Sequence, residues 1–209
     1  MKNFEERRER MVVEQIEARG VKDERVLGVM RKVARHVFVP ENLQDSAYQD
    51  EPLPIGEEQT VSQPYIVAYM TEVLGLKGEE KVLEVGTGSG YQAAILAEIV
   101  REVYTVEVIE TLSSRAQRAL GDLGYTNIHF KVGDGTLGWK EHSPFDCIIV
   151  TAAPSKVPEP LKKQLKVSGK MVIPVGSFFQ ELVLITREEK GFKKEKLLPV
   201  RFVPLVSLH

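Results

Sequence analysis

The segment Val82-Leu-Glu-Val-Gly-Thr-Gly-Ser-Gly-Tyr91 constrains this chain more than any other. A short apolar run passes straight into three glycines at alternate positions, Gly86, Gly88 and Gly90, and then into an apolar stretch of helical length. Glycine allows positive φ and close approach of backbone to a ligand. The segment therefore predicts a strand, a ligand-cradling loop and a helix. Its G-x-G-x-G spacing departs from the dinucleotide pattern, which needs a glycine at Tyr91, and from the phosphate-loop pattern, whose Gly-Lys-Ser/Thr is absent.

The rest of the chain beyond this loop keeps the same alternation. Short apolar runs at 82–85, 103–106, 128–132, 145–151 and 170–175 predict strands, with helices over 91–100 and 112–120 between the first three. Residues 181–186 and 196–202 read as a closing hairpin across the charged turn 187–194. Alternation of this kind predicts an α/β fold, a doubly wound, mostly parallel sheet with helices on both faces. Ahead of it, a helix is expected over 4–19, stopped by Gly20, and a second one capped by Asp23 with Val26, Leu27, Met30 and Val33 on one face. Residues 40–63, with three prolines and a glycine, read as a long functional loop that closes over the site, and Pro64 suits the first turn of the next helix. The expectation is a single domain, 1–209, with an N-terminal helical and loop extension over 1–80 and the core over 81–209.

Composition narrows the function classes. With 43% hydrophobic and 28% charged residues in 209, the chain is an ordinary globular one. A balance of 28 Lys and Arg against 30 Asp and Glu gives no general reason to expect a nucleic-acid partner. One cysteine, Cys147, excludes a disulfide framework and a cysteine-clustered zinc site, and the four histidines lack metal-ligand spacing, so no metal is expected. No signal-peptide core and no membrane-length apolar run is found, which points to the cytoplasm and to no membrane partner; a monomer is the default expectation.

Three acids end successive strands: Glu84 before the glycines, Glu107, and Asp134 within Val132-Gly-Asp-Gly135. Each alone reads as a solvated loop residue, but together they suit S-adenosyl-L-methionine. That ligand carries an ammonium for Glu84, ribose hydroxyls for Glu107 and an adenine amino group for Asp134, and it has no phosphate to repel them.

The stretches Ala47–Met70, Val82–Tyr91, Val132–Gly135, Phe145–Pro154 with its Thr-Ala-Ala-Pro ending, and Val200-Arg-Phe-Val-Pro-Leu205 resemble the protein-L-isoaspartate O-methyltransferases over nearly the whole chain. The resemblance implies a Rossmann-like methyltransferase fold and methyl transfer from S-adenosyl-L-methionine, giving S-adenosyl-L-homocysteine. The acceptor would be the free α-carboxylate of L-isoaspartyl residues in damaged proteins and peptides, whose ester closes to a succinimide and starts their repair. It assigns Ser62 to the active site. It places Glu84, Gly86, Gly88, Glu107 and Asp134 on cofactor positions, with Thr87, Gly90, Tyr91, Val108 and Gly135 beside them. Thr60, Val61, Ser62, Val203 and Leu205 fall on substrate-contacting segments. Read without the resemblance, Ser62 serves equally as a cap for the helix at Pro64.

Two rival functions compete with this reading. A nucleic-acid amino-methyltransferase usually carries Pro-Pro-aromatic after the fourth strand, where this chain has Thr151-Ala-Ala-Pro154. A non-catalytic binding module would have no need of all three acids.

Overall fold

The computed structural model describes residues 3–207. The Asn3 side chain accepts from the Glu6 amide (3.1 Å) and opens helix α1, Phe4–Arg10. The helix expected over 4–19 is continuous but not uniform. Met11–Ile16 widens to π geometry and Glu17–Arg19 tightens to a 3-10 turn before Gly20 ends it at φ +98°. Asp23 caps α2, Glu24–Lys32, by accepting from the Arg25 and Val26 amides, and its expected apolar face is buried.

Residues 40–63 are not the irregular loop that their prolines suggest. A 3-10 turn, Glu41–Ser46, precedes a hairpin of β1, Leu53–Gly56, and β2, Gln59–Val61. The turn is made by Glu57 and Glu58 at φ +53° and +57°. Hairpin turns of this hand normally use Asn-Gly or Asp-Gly, so two glutamates give no warning of one. Glu57 is held from outside: its carboxylate accepts from Thr111 Oγ1 (3.0 Å) and pairs with Arg115 (3.5 Å), which also donates to the Ile55 carbonyl (3.3 Å).

Helix α3, Pro64–Leu74, starts on proline and ends at Gly75 in the left-handed region. Then come β3 (Lys81–Val85), α4 (Tyr91–Ala97), β4 (Glu102–Glu107), α5 (Glu110–Asp122), β5 (Ile128–Val132), β6 (Phe145–Val150), α6 (Glu159–Gln164), β7 (Leu165–Val175), β8 (Gln180–Glu188) and β9 (Gly191–Val200). The sheet order is β5-β4-β3-β6-β7-β8-β9. The first five strands are parallel, and β8 and β9 form the expected antiparallel hairpin at one edge. The hairpin runs through most of the charged stretch 187–194, because side chains on an edge hairpin stay solvated within a strand.

Alternation along β3 divides its residues between two apolar layers. Val82 packs with Met70 and Leu74 of α3 and Leu96 of α4, whereas Leu83 and Val85 pack with Leu161 of α6. Glu84 shares the parity of Val82 and is fully buried on the α3–α4 side. The chain moves from β3 out to β4 and β5, then returns to the other flank of β3 as β6. The carboxyl ends of β3 and β6 are thus the switch point at which open α/β sheets bind ligands. Among the described residues no helix is long and apolar enough to cross a membrane.

Candidate active site

The glycine loop stands at this switch point. Gly86, Gly88 and Gly90 all have positive φ, +97°, +53° and +88°. A Cβ on Gly86 would collide with Thr151 Oγ1, and one on Gly90 would press Leu120 and Ala116 of α5. Gly86 therefore lets the ends of β3 and β6 close on each other, while Gly90 lets α4 start against α5. The Thr151 hydroxyl lies 2.6 Å from the Gly86 carbonyl and 3.1 Å from that of Val85, tying the loop to β6.

Over the loop lies a cleft of about 760 Å³, counting its open mouth. Of the expected cofactor residues, Gly86, Thr87, Gly88, Glu107, Val108 and Gly135 line it, and so do Thr60, Val61, Ser62, Val203 and Leu205. Glu107 ends β4 with one carboxylate oxygen accepting from the Gly88 amide (2.9 Å) and the other from the Ile109 amide (3.0 Å). These two bonds fix its orientation at the cleft wall and leave each oxygen a further lone pair.

The structure does not bring Glu84, Gly90, Tyr91 and Asp134 to the cleft. Tyr91 packs its buried ring against Phe38, with ring centres 5.6 Å apart. The Asp134 carboxylate accepts from the Thr136 amide (2.8 Å) and hydroxyl (2.7 Å) and from Ser207 Oγ (2.9 Å). It shapes the turn that presents Gly135. Glu84 acts from below: its Oε2 accepts from Thr105 Oγ1 (2.5 Å), which lies 2.6 Å from Thr87 Oγ1 in the glycine loop.

Burial pushes the Glu84 carboxyl up to about 8, and its Oε1 has no partner among the described residues. The folded protein holds this proton up to that pH, whereas the unfolded chain releases it near 4.5. Protons bound only by the folded state make stability fall as pH rises through that window. Glu84→Gln keeps an acceptor for Thr105 and removes the titration. Its stability relative to the parent chain is expected to improve by roughly 2–4 kcal/mol between pH 5.5 and 8. Urea titrations at the two pH values check this, and a gap that does not widen with pH would refute it.

A second groove, about 1560 Å³ with its mouth, is lined by Tyr65, Ile66 and the segment 198–204. It shares Thr60, Ser62, Thr151, Val203 and Pro204 with the first cleft. The tail that forms this wall is anchored. The Ala153 amide donates to the Val203 carbonyl (2.8 Å), the Leu205 amide to that of Ala153 (2.9 Å), and the Gln180 side chain bonds both the amide and the carbonyl of Phe202. Ser62 is no helix cap: Gln63 occupies that position without a capping bond, and the Ser62 hydroxyl takes no partner among the described residues.

Thr151 and Gln92 also line the cleft, and sequence reasoning misses both. Thr151 carries a signal, as the first residue past a buried strand in the Thr-Ala-Ala-Pro stretch. Gln92, among the alanines of α4, carries none.

The residues fit an adenosyl amino acid. Among the described residues no Lys, Arg or His lines the cleft to neutralise a pyrophosphate. Glu107 is presented for hydroxyl groups, and buried Gln92, whose Nε2 donates to Thr71 Oγ1 (3.1 Å), leaves Oε1 as an orphan acceptor suited to an ammonium. This sheet and this cleft define the class: methyltransferases that use S-adenosyl-L-methionine.

Comparisons with known proteins agree. The profile of the family "Protein-L-isoaspartate(D-aspartate) O-methyltransferase (PCMT)" matches residues 6–209, and the chain belongs to that family. The protein-L-isoaspartate O-methyltransferase of Dictyoglomus turgidum is 59% identical over 93% of this chain and 89% of its own. That of Geobacter metallireducens is 57% identical over 98% and 96%. A solved protein-L-isoaspartate O-methyltransferase superposes with TM-score 0.86 at 31% identity over 94% of this chain, which spans 65% of that structure's length. A Plasmodium falciparum structure described as a complex with S-adenosyl-L-homocysteine gives 0.83 at 25% identity, covering 95% and 98%.

Proposed function

We infer that this chain transfers a methyl group from S-adenosyl-L-methionine to the free α-carboxylate of L-isoaspartyl residues in proteins and peptides. The observation that carries this reading is the meeting of the two cavities at Ser62 in a chain of this family. When bound, the cofactor supplies an electrophilic methyl group on a sulfonium. Gly86, Thr87, Gly88 and Gly135 would hold it by backbone approach, Glu107 by its ribose hydroxyls, and Gln92 Oε1 by its ammonium.

The acceptor is already an anion at neutral pH, so no general base is needed. What remains for the protein is to desolvate one carboxylate and aim an oxygen along the line of the breaking bond. Ser62 is suited to this, since its uncommitted hydroxyl can donate to one oxygen without neutralising the acceptor. The groove beyond it admits the substrate chain, with Thr60 on one side and Val203 on the other, while Val61 and Leu205 line the first cleft beside the acceptor. A carboxylate oxygen so aimed would take the methyl group as its bond to sulfur breaks, with the electron pair left on the sulfur of S-adenosyl-L-homocysteine. The ester then closes to a succinimide unaided as the following backbone amide nitrogen displaces methanol. Glu84 and Asp134 act in this reading as supports of the glycine loop and the Gly135 turn. The chain works as one methyltransferase unit over 1–209 and as a monomer, and its single free, buried cysteine is consistent with a reducing cytoplasm.

The repair outcome is checked by following one isoaspartyl peptide through repeated rounds of incubation with enzyme and cofactor. Ester, then succinimide, then a growing share of normal aspartyl peptide is expected. Accumulation of a stable ester that never yields aspartate would count against repair.

A further inference from the structure

Arg35 is fully buried, the one lysine or arginine to be so among the described residues, and no ion pair is formed by its guanidinium there. Its guanidinium donates to the carbonyl of Ala47, to that of Glu51 (3.3 Å) and to that of Ser62 (3.0 Å), while its buried Nε has no partner among the described residues. All three carbonyls belong to the stretch that carries the hairpin and Ser62. No carboxylate of the described residues is bonded to it. Desolvation pulls its pKa down, opposed at longer range by Tyr91, Tyr48, Asp50 and Glu51.

A buried cation held by neutral carbonyls and the face of the Tyr91 ring, 5.7 Å away, is costly. A bundle of apolar side chains would close the same space at lower cost. Two features turn the arrangement to use. The planar fork holds carbonyls spread around its two terminal nitrogens in fixed directions, a span that the donors of one ammonium nitrogen do not cover. The charge also sits on the carbonyl of the very residue whose hydroxyl faces the acceptor, in a region where Coulomb interactions are weakly screened.

We propose that Arg35 is a positioning residue for the acceptor side: it fixes the Ser62 backbone, and its unneutralised charge favours an anionic acceptor at the junction of the two cavities. The inference rests on the isoaspartyl reading above and adds a residue that does not touch the substrate.

The test uses the full chain, an isoaspartyl peptide and the same peptide with that α-carboxylate converted to an amide. The parent chain is expected to favour the acid over the amide, as KM against inhibition constant, by about tenfold. In Arg35→Met the preference falls to about one. In Arg35→Lys it survives while kcat drops about tenfold, because one ammonium nitrogen does not span the carbonyls that the two guanidinium nitrogens reach. Binding of S-adenosyl-L-homocysteine within twofold of the parent shows that each variant retains its fold and cleft.

An unchanged acid preference in cofactor-binding Arg35→Met would overturn the charge role, which a merely structural residue would also leave unmoved. Should Arg35→Met lose cofactor binding, Arg35→Lys decides alone, and undiminished kcat there overturns the proposal. A parent chain that ignores the isoaspartyl peptide would instead remove the underlying reading.

Discussion

Removing the Ser62 hydroxyl is expected to lower turnover about a hundredfold, the scale typical of losing one positioned donor at a reacting oxygen. The same change should leave cofactor binding and stability nearly untouched. That separation follows from the geometry. The hydroxyl makes no bond within the described residues and caps no helix, so Ser62→Ala strands no partner. The backbone carbonyl that Arg35 holds at 3.0 Å is retained. Single-turnover rates with saturating cofactor, set beside a melting curve and a titration with S-adenosyl-L-homocysteine, check all three. A well-folded variant with undiminished turnover would deprive Ser62 of its role.

The second large effect is expected at Gly86. With φ at +97° and Thr151 Oγ1 in the path of any Cβ, Gly86→Ala meets both a backbone and a contact penalty. A left-handed alanine alone costs about 1–2 kcal/mol. The collision adds a displacement of Thr151, whose hydroxyl ties the Val85 and Gly86 carbonyls to the end of β6. The cradle must open, and affinity for S-adenosyl-L-homocysteine should fall at least about a hundredfold, near 3 kcal/mol. Gly124→Ala is the matched control. Its φ is +84° and nothing lies within 4 Å of its Cβ, so it should lose stability and keep affinity. Wild-type affinity in Gly86→Ala would show that the loop does not cradle the ligand.

These two residues are visible in the sequence for different reasons. Gly86 follows from the strand-to-glycine transition, a signal local in the chain. Ser62 emerges only through family resemblance, because its significance lies in two cavities meeting, which no local pattern encodes. The three acids show where strand-end reasoning stops. All three belong to the ends of successive strands, yet only Glu107 lines the cleft. For Glu84 the parity of β3 is available, since it alternates with Leu83 and Val85 and must share the face of Val82. For Asp134 it is not: the partners that occupy its carboxylate include Ser207, far along the chain. The β1–β2 hairpin is hidden by a left-handed Glu57-Glu58 turn that is stabilised by Thr111 and Arg115, tertiary contacts rather than turn residues. Arg35 likewise resembles any surface arginine until the fold wraps three carbonyls around it.

The most direct test of the central claim uses two peptides that differ at one residue, isoaspartate in one and aspartate in the other. Each is incubated with the chain and S-adenosyl-L-methionine, and methyl incorporation is followed by mass before the ester decays. Rapid methylation of the isoaspartyl peptide alone is the predicted result. Equal methylation of both would leave a carboxyl methyltransferase without isoaspartyl selectivity, and methylation of neither by a chain that binds the cofactor would contradict the account.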